Sequence, residues 1–171
     1  FTYKDTHRLK IKGWEKIFHA NGNQKRSGLA ILISHKIAFK DKKYKKRQGH
    51  YIMIKGSIQQ ENITILNIYA LNTGAPRYIK EILFKLKRDT IIAGDFNIPL
   101  SALDRFSKQK IKKETPDLIC TINQMDLTDI YRTFYPRTAE YSLFSLAHAS
   151  FSRIDHVLGH KTSLKTFKKL K

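Results

Sequence analysis

The stretch Thr90-Ile91-Ile92-Ala93-Gly94-Asp95-Phe96-Asn97-Ile98-Pro99 decides how the rest of the chain is read. Its short apolar, β-branched run reads as a strand buried on both faces, and it ends at a glycine followed by two polar groups. Side chains alternate along a strand, so Asp95 and Asn97 project to one side while Phe96 points back into the packing; Pro99 cannot donate to a ladder and closes the strand. A carboxylate and an amide then stand together at the carboxyl end of a rigid element. An ordinary Gly-Asp-x-Asn turn is the competing reading, since these residue types all favour turns. Two further polar clusters, Tyr69 to Asn72 and Ser152 to His156, follow or sit within strand-like apolar segments, and three such ends brought together would make a site.

The remaining composition fits a single domain over residues 1–171, long enough to bury about two thirds of its unfolded surface. The 33 Lys and Arg residues outnumber the 14 Asp and Glu residues, for a net charge of +19. The natural partner for such a surface is a polyanion, nucleic acid first and an anionic membrane second. Apolar runs such as Leu29 to Ile33 are far too short to span a bilayer, and no charged-then-apolar leader opens the chain, so a soluble, non-secreted protein is expected. The single cysteine, Cys120, lies among Leu118, Ile119, Ile122 and Met125 and is expected to be a buried structural thiol. The opening Phe1-Thr2-Tyr3-Lys4 has no cap or turn signal before it, and the chain is expected to be cut from something longer.

Taken in order, Gly13 to Phe18 alternates like a half-buried strand, Asn21-Gly22-Asn23 is a turn, and Gly28 to Ser34 is a buried strand. Lys36 to Arg47 is a basic run interrupted by Phe39 and Tyr44, readable as a phosphate-contacting edge or as a solvated strand and loop. His50 to Ile58 and Asn62 to Ala70 form a hairpin about Gln59-Gln60-Glu61, with Ile63 and Ile65 on one face and Leu66, Ile68 and Ala70 on the other. Pro76 to Arg88 is the clearest helix, its stripe formed by Ile79, Leu83 and Leu86. Pro99 to Thr115 reads as a long surface loop, Thr115-Pro116-Asp117 as the cap of a second helix reaching Met125, and Asp126 to Phe134 as a loop with a short helical turn. Short strands are expected around Tyr141 to Leu146 and Arg153 to Gly159.

Ile68-Tyr69-Ala70-Leu71-Asn72, Gly94-Asp95-Phe96-Asn97 and Ser152-Arg153-Ile154-Asp155-His156, in this order, resemble the endonuclease/exonuclease/phosphatase superfamily of apurinic endonucleases and DNases. Asp5 to Trp14, Gly49 to Glu61 and Asn72 to Arg77 look more narrowly like the endonuclease domain of the second open reading frame of mammalian long interspersed (non-LTR) retrotransposons. The resemblance covers essentially the whole chain. It implies a four-layer α/β sandwich, two facing mixed sheets flanked by helices, with the site at one end between the sheets. It also implies phosphodiester hydrolysis that depends on Mg²⁺ or Mn²⁺, nicking duplex DNA held by its phosphate backbone. The partner region would be a reverse transcriptase in the same polyprotein, and the implied setting is a monomer, nuclear and cytoplasmic, with no membrane association.

By the same resemblance, Asp95 orients or deprotonates the attacking water and is a possible metal ligand, and Asn97 holds the phosphate. Tyr69 and Asn72 steady the phosphate and neighbouring backbone, Asp155 supports the catalytic histidine from behind, as carboxylates commonly do for imidazoles, and Ser142 contacts substrate backbone. His156 is a structural or substrate-side histidine ahead of a catalytic base. The chain departs from the family pattern in lacking its early Asn strand, its Gln-Glu strand whose Glu binds Mg²⁺, and its closing Ser-Asp-His. Gln60-Glu61 falls in a hairpin turn, Leu71 replaces the usual Pro, and the connection before Thr90 is shortened. An incomplete domain truncated at both ends, with weakly held metal and weak or no activity alone, is therefore expected. The alternatives are a catalytically dead basic nucleic-acid-binding fragment and, less favoured, a superfamily phosphatase.

Overall fold

The computed structural model describes residues 11–20, 28–47, 50–105, 114–146 and 149–164. The chain divides into two compact units, one made of residues up to Tyr69 with Asp89–Ile91, the other of Ala70–Arg88 and the residues from Ile92 on.

In the first unit β1 (Trp14–Ala20) and β2 (Leu29–Ser34) pair as an antiparallel hairpin, with Ile17 opposite Leu32 and Ala20 opposite Leu29. The turn expected at Asn21-Gly22-Asn23 lies outside the described residues. A meander follows: β3 (Lys40–Arg47), β4 (Tyr51–Ile58) and β5 (Glu61–Tyr69), antiparallel throughout. The loop between β4 and β5 is two residues, not the three expected, because Glu61 already pairs with Ile58. Gln59 and Gln60 both take left-handed backbone, φ 49° and 68°, the primed turn geometry that matches strand twist.

The alternation along β5 is as expected, with Thr64, Leu66 and Ile68 buried and Ile63 and Ile65 half-buried. Ile63 and Ile65 join Phe18, Leu29 and Ile31 around a buried cluster of Ala20, Ile33, Phe39, Ile52 and Ile54. The Asn67 amide donates to the Ala30 carbonyl at 3.0 Å on the same side. Phe39 reaches this cluster only because position 56 lacks a Cβ, which would overlap the Phe39 ring and lie 2.5 Å from the Lys40 carbonyl oxygen.

The second unit opens with α1 (Ala75–Leu83), which has Pro76 in its first turn and buries Ile79 and Leu83. The helix was expected to reach Arg88; instead Lys85 and Leu86 donate to the Ile82 and Leu83 carbonyls, tightening the end and turning the chain towards β6 (Thr90–Asp95). In β6, Thr90 and Ile92 are buried but Ile91 and Ala93 only half so. The expectation of a strand buried on both faces is corrected to burial on one.

α2 (Glu114–Gln124) already includes Glu114, ahead of the expected Thr115 cap, and turns Thr115, Leu118, Thr121 and Ile122 inward, packing against α1. Cys120 is exposed, contrary to expectation: two residues on from Leu118 is about 200° around the helix, on the opposite face. The segment read as a loop with a helical turn holds β7 (Leu127–Asp129) and α3 (Ile130–Phe134). β8 (Leu143–Ser145) pairs with β9 (Ser150–Ser152), a strand the sequence reading missed, and β10 (Asp155–His160) runs antiparallel between β6 and β7. Among the described residues no helix is long and apolar enough to cross a membrane.

Overfilling a packed site costs about 1–3 kcal/mol, so Gly56→Ala is expected to lower stability to urea by that amount with an unchanged denaturant slope; an unaltered midpoint would show that Phe39 does not need the space.

Candidate active site

The β6/β10 pairing sets the site. Its register runs Leu158 opposite Ile92, Val157 opposite Ala93, His156 opposite Gly94 and Asp155 opposite Asp95. Two carboxylates therefore face each other across adjacent strands, where like charges destabilise a sheet. Burial pushes the half-buried Asp95 above the usual carboxylate range; a hydrogen bond from the Asn97 amide N–H to Oδ1 at 2.9 Å opposes that, and the neighbouring Asp155 charge adds to it.

Beyond Asp95 the chain turns sharply. Phe96 N–H donates to the Ile154 carbonyl at 2.9 Å, its ring is fully buried, and Asn97 takes left-handed backbone at φ 53°, which asparagine tolerates better than most residues. The Asn97 side-chain amide donates to the Ala70 carbonyl, and Ala70 N–H donates to the Asp95 carbonyl at 2.8 Å. Residue 70 and the end of β6 are thereby clamped together. One further N–H and the carbonyl of the Asn97 amide remain to be used.

Beneath this end lies a buried ionic network. Asp104, fully buried, accepts from Arg132 Nη2 at 2.5 Å, Arg153 Nε at 2.9 Å and the Leu100 and Ser101 backbone amides. Arg153 also donates from Nη2 to Asp129 Oδ2 at 2.5 Å, and its guanidinium lies 4.9 Å from the centre of the Tyr131 ring. Asp129 caps α3 through the Arg132 amide at 3.2 Å. His156 completes the chain, 1% exposed, with Nδ1 3.0 Å from Asp129 Oδ2 and Nε2 2.9 Å from the Ile98 carbonyl oxygen. Both partners are acceptors, so the ring satisfies both only with a proton on each nitrogen.

Burial raises both aspartates, but hydrogen bonds and charge from the cations outweigh it. Asp129 is held at about 2 by His156 and Arg153, and Asp104 is held below the usual range by Arg132 and Arg153.

Of the residues named from sequence, Asp95, Asn97, Asp155, His156, Ser142 and Asn72 all belong to the second unit, and Tyr69 ends β5 as the last residue of the first unit's main run. Ser142 Oγ accepts from the Ile154 and Asp155 amides at 3.1 and 3.4 Å, so it fixes the start of β10. Asn72 is exposed in the turn before α1. His156 is interior, with its ring nitrogens on Asp129 and the Ile98 carbonyl. A pocket of about 360 Å³ adjoins Asp155 and is lined by Tyr131, Glu140, Tyr141 and Ser142 among others. Among the described residues no group of three His, Cys, Asp or Glu side chains is placed to hold a metal ion. Two carboxylates do suit a hard cation that takes one or two protein oxygens and fills its shell with water and phosphate.

The sequence reading missed Asp104, Asp129 and Arg132, and gave Arg153 no role. Two signals were available: Asp129 directly precedes the apolar start of α3, an N-cap position, and Arg153 sits between Phe151 and Ile154, where a buried cation demands a carboxylate.

The Asp129 shift fixes a pH dependence. With a folded value near 2 and an ordinary unfolded value near 3.9, its contribution is complete above about pH 4 and fades as pH falls towards 2, by roughly 2 kcal/mol in all. Urea titrations across this window are expected to show that loss and Asp129→Asn to flatten it; equal slopes for both proteins would refute the assignment.

Comparison with known proteins places this geometry. The chain is similar in structure to the endonuclease domain of TRAS1, a telomere-specific non-LTR retrotransposon, with TM-score 0.65 at 13% identity over 91% of this chain and 70% of that one. An AP endonuclease from Archaeoglobus fulgidus matches with TM-score 0.65 at 16% identity over 96% and 72%, and the Xenopus laevis APE2 catalytic domain with TM-score 0.65 at 14% identity over 91% and 68%. These likenesses establish the DNase-like α/β fold. The model of the endonuclease/exonuclease/phosphatase family matches residues 2–170, nearly the entire chain, and the chain belongs to that family.

Proposed function

We infer that residues 1–171 form one nuclease domain that hydrolyses phosphodiester bonds in DNA with a divalent cation, in the manner of a retroelement endonuclease. The observation that carries this reading is the register that sets Asp95 opposite Asp155 at the ends of β6 and β10, beside the left-handed turn at Asn97. Hydrolysis of a phosphodiester needs an oriented water, an acceptor for its proton, and positive charge or donors on the phosphate oxygens.

Asp95 supplies the acceptor. Its carboxyl is held above the usual range by burial, which strengthens its grip on a proton, and Oδ1 is aimed by the Asn97 amide. Asn97 offers its remaining amide N–H to a phosphate oxygen, while Asn72 steadies the neighbouring backbone. Asp155 is held at the strand end through the Ser142 hydroxyl. Asp95 and Asp155 would hold Mg²⁺ or Mn²⁺, which when bound polarises the phosphate and neutralises its charge. The similar AP endonuclease and retrotransposon endonuclease, together with the +19 charge, support DNA as the substrate and a nuclear and cytoplasmic setting, next to a reverse transcriptase region.

The same geometry makes this chain a slow enzyme by itself. His156 is sealed with both nitrogens engaged and has none to lend to the reaction, and two carboxylates retain a cation less firmly than a fuller set. Groups that act as a unit lose most of their benefit together.

Nicking of supercoiled plasmid in Mg²⁺ is expected to be slow, at least about a hundredfold below a complete family enzyme, the usual worth of one acid–base group, and Asp95→Ala is expected to abolish it. Fast nicking by this chain would overturn the slow-enzyme reading, and nicking that survives Asp95→Ala would overturn the site.

A further inference from the structure

β3 is the edge strand of the first unit's meander, and its eight residues Lys40–Arg47 carry six cations and one carboxylate, all exposed. The carboxylate is already taken, since Asp41 pairs with Lys16 Nζ at 2.6 Å. The register sorts the rest. Tyr44 and Lys46 stand opposite the buried Ile54 and Ile52, on the face of the Phe39 cluster, where the Tyr44 hydroxyl donates to the His19 carbonyl. Lys43, Lys45 and Arg47 stand on the other face, opposite Lys55, Met53 and Tyr51.

That second face therefore carries Lys43, Lys45, Arg47 and Lys55 in a comb, with Lys40 beyond the bulge opposite Ser57, and Lys43 lies directly across from Lys55. Among the described residues no ion pair or side-chain hydrogen bond engages Lys43, Lys45, Arg47 or Lys55. Like charges directly opposed across a sheet destabilise it. Lysines on an edge strand are a common guard against edge-to-edge pairing, but that purpose does not account for Lys55, which belongs to the inner strand β4. A bound anion would relieve the repulsion. Alternate residues of a strand recur at about 6.6 Å, comparable to the step between successive phosphates along a nucleic-acid strand.

We propose that Lys43, Lys45, Arg47 and Lys55 form a phosphate rail, a nucleic-acid contact surface on the first unit. Contacts to backbone phosphate carry no sequence information, so the rail reads no sequence. An anionic membrane fits less well: Met53 and Tyr51, the apolar neighbours on this face, are half-buried between the cations and do not protrude to enter a bilayer.

The test removes the charge without touching the core. Lys43→Gln/Lys45→Gln/Arg47→Gln in the full chain is compared with Lys85→Gln/Lys87→Gln/Arg88→Gln, which removes equal charge from exposed positions in the second unit. Binding to short fluorescent duplex DNA, single-stranded DNA and single-stranded RNA is measured across a salt series, alongside phosphatidylserine vesicles. The β3 triple is expected to lose at least about tenfold in affinity at low salt and to flatten the log–log salt slope by about 2.7 on duplex, near 0.9 per phosphate. The control triple is expected to keep its slope. Loss on duplex, on single strands or on both supports the rail and identifies its ligand. Equal losses in the two triples, an unchanged slope, or an effect confined to vesicles would overturn it. Should the triple fail to give the wild-type circular dichroism spectrum, the single variants Lys43→Gln and Lys45→Gln carry the test, each with about 0.9 off the slope. Lys43→Gln is also expected to raise the melting temperature by relieving the contact with Lys55, and a lowered one would count against the strain invoked here.

Discussion

Arg153, almost wholly buried between Asp104 and Asp129, is the contact on which the second unit depends. Removing three charges from water is costly, and their attraction repays it only when geometry is good and the remaining donors and acceptors are used. Here Asp104 spends its oxygens on two guanidinium groups and two backbone amides, and Asp129 spends its own on Arg153, His156 and the first turn of α3. The network therefore joins the short helical turn at Ala102–Asp104, the start of α3 and the start of β10. Asp155 is two residues from Arg153 and His156 is next to it. A carboxylate that must stand opposite another carboxylate needs such an anchor, because nothing in the local pairing favours it.

The strand ends that carry Asp95 and Asp155 were legible, because period, glycine and proline mark them; Asn97, read as a strand residue, instead leaves the strand in the left-handed turn after Asp95. The β4/β5 hairpin was legible for the same reason, down to which residues face which side. Asp104 and Asp129 were not. Asp104 lies in a polar stretch that reads as surface loop, and its partner Arg153 is 49 residues away; Asp129 lies 24 residues from the same arginine. A pairing at that distance leaves no local pattern. Cys120 failed differently, since an apolar neighbourhood in sequence spans both faces of a helix and only angular position separates buried Leu118 from exposed Cys120.

The two units divide the work of folding by the distance their strands must travel. β1 with β2, and β3 with β4 and β5, are sequence neighbours joined by short connections. β10 by contrast meets β6 after some sixty residues of intervening chain, and meets β7 only by passing between them in the sheet. Loop-closure entropy must be met before such pairings return any stability, and non-local strand pairing is slow. On a chain growing from its amino end, the hairpins of the first unit can assemble while the residues that complete the second are still unsynthesised. The carboxylate pair and its ionic anchor thus come together among the last events of folding, and a chain stopped before residue 153 has β6 without its β10 partner and Asp104 with Arg132 but without Arg153.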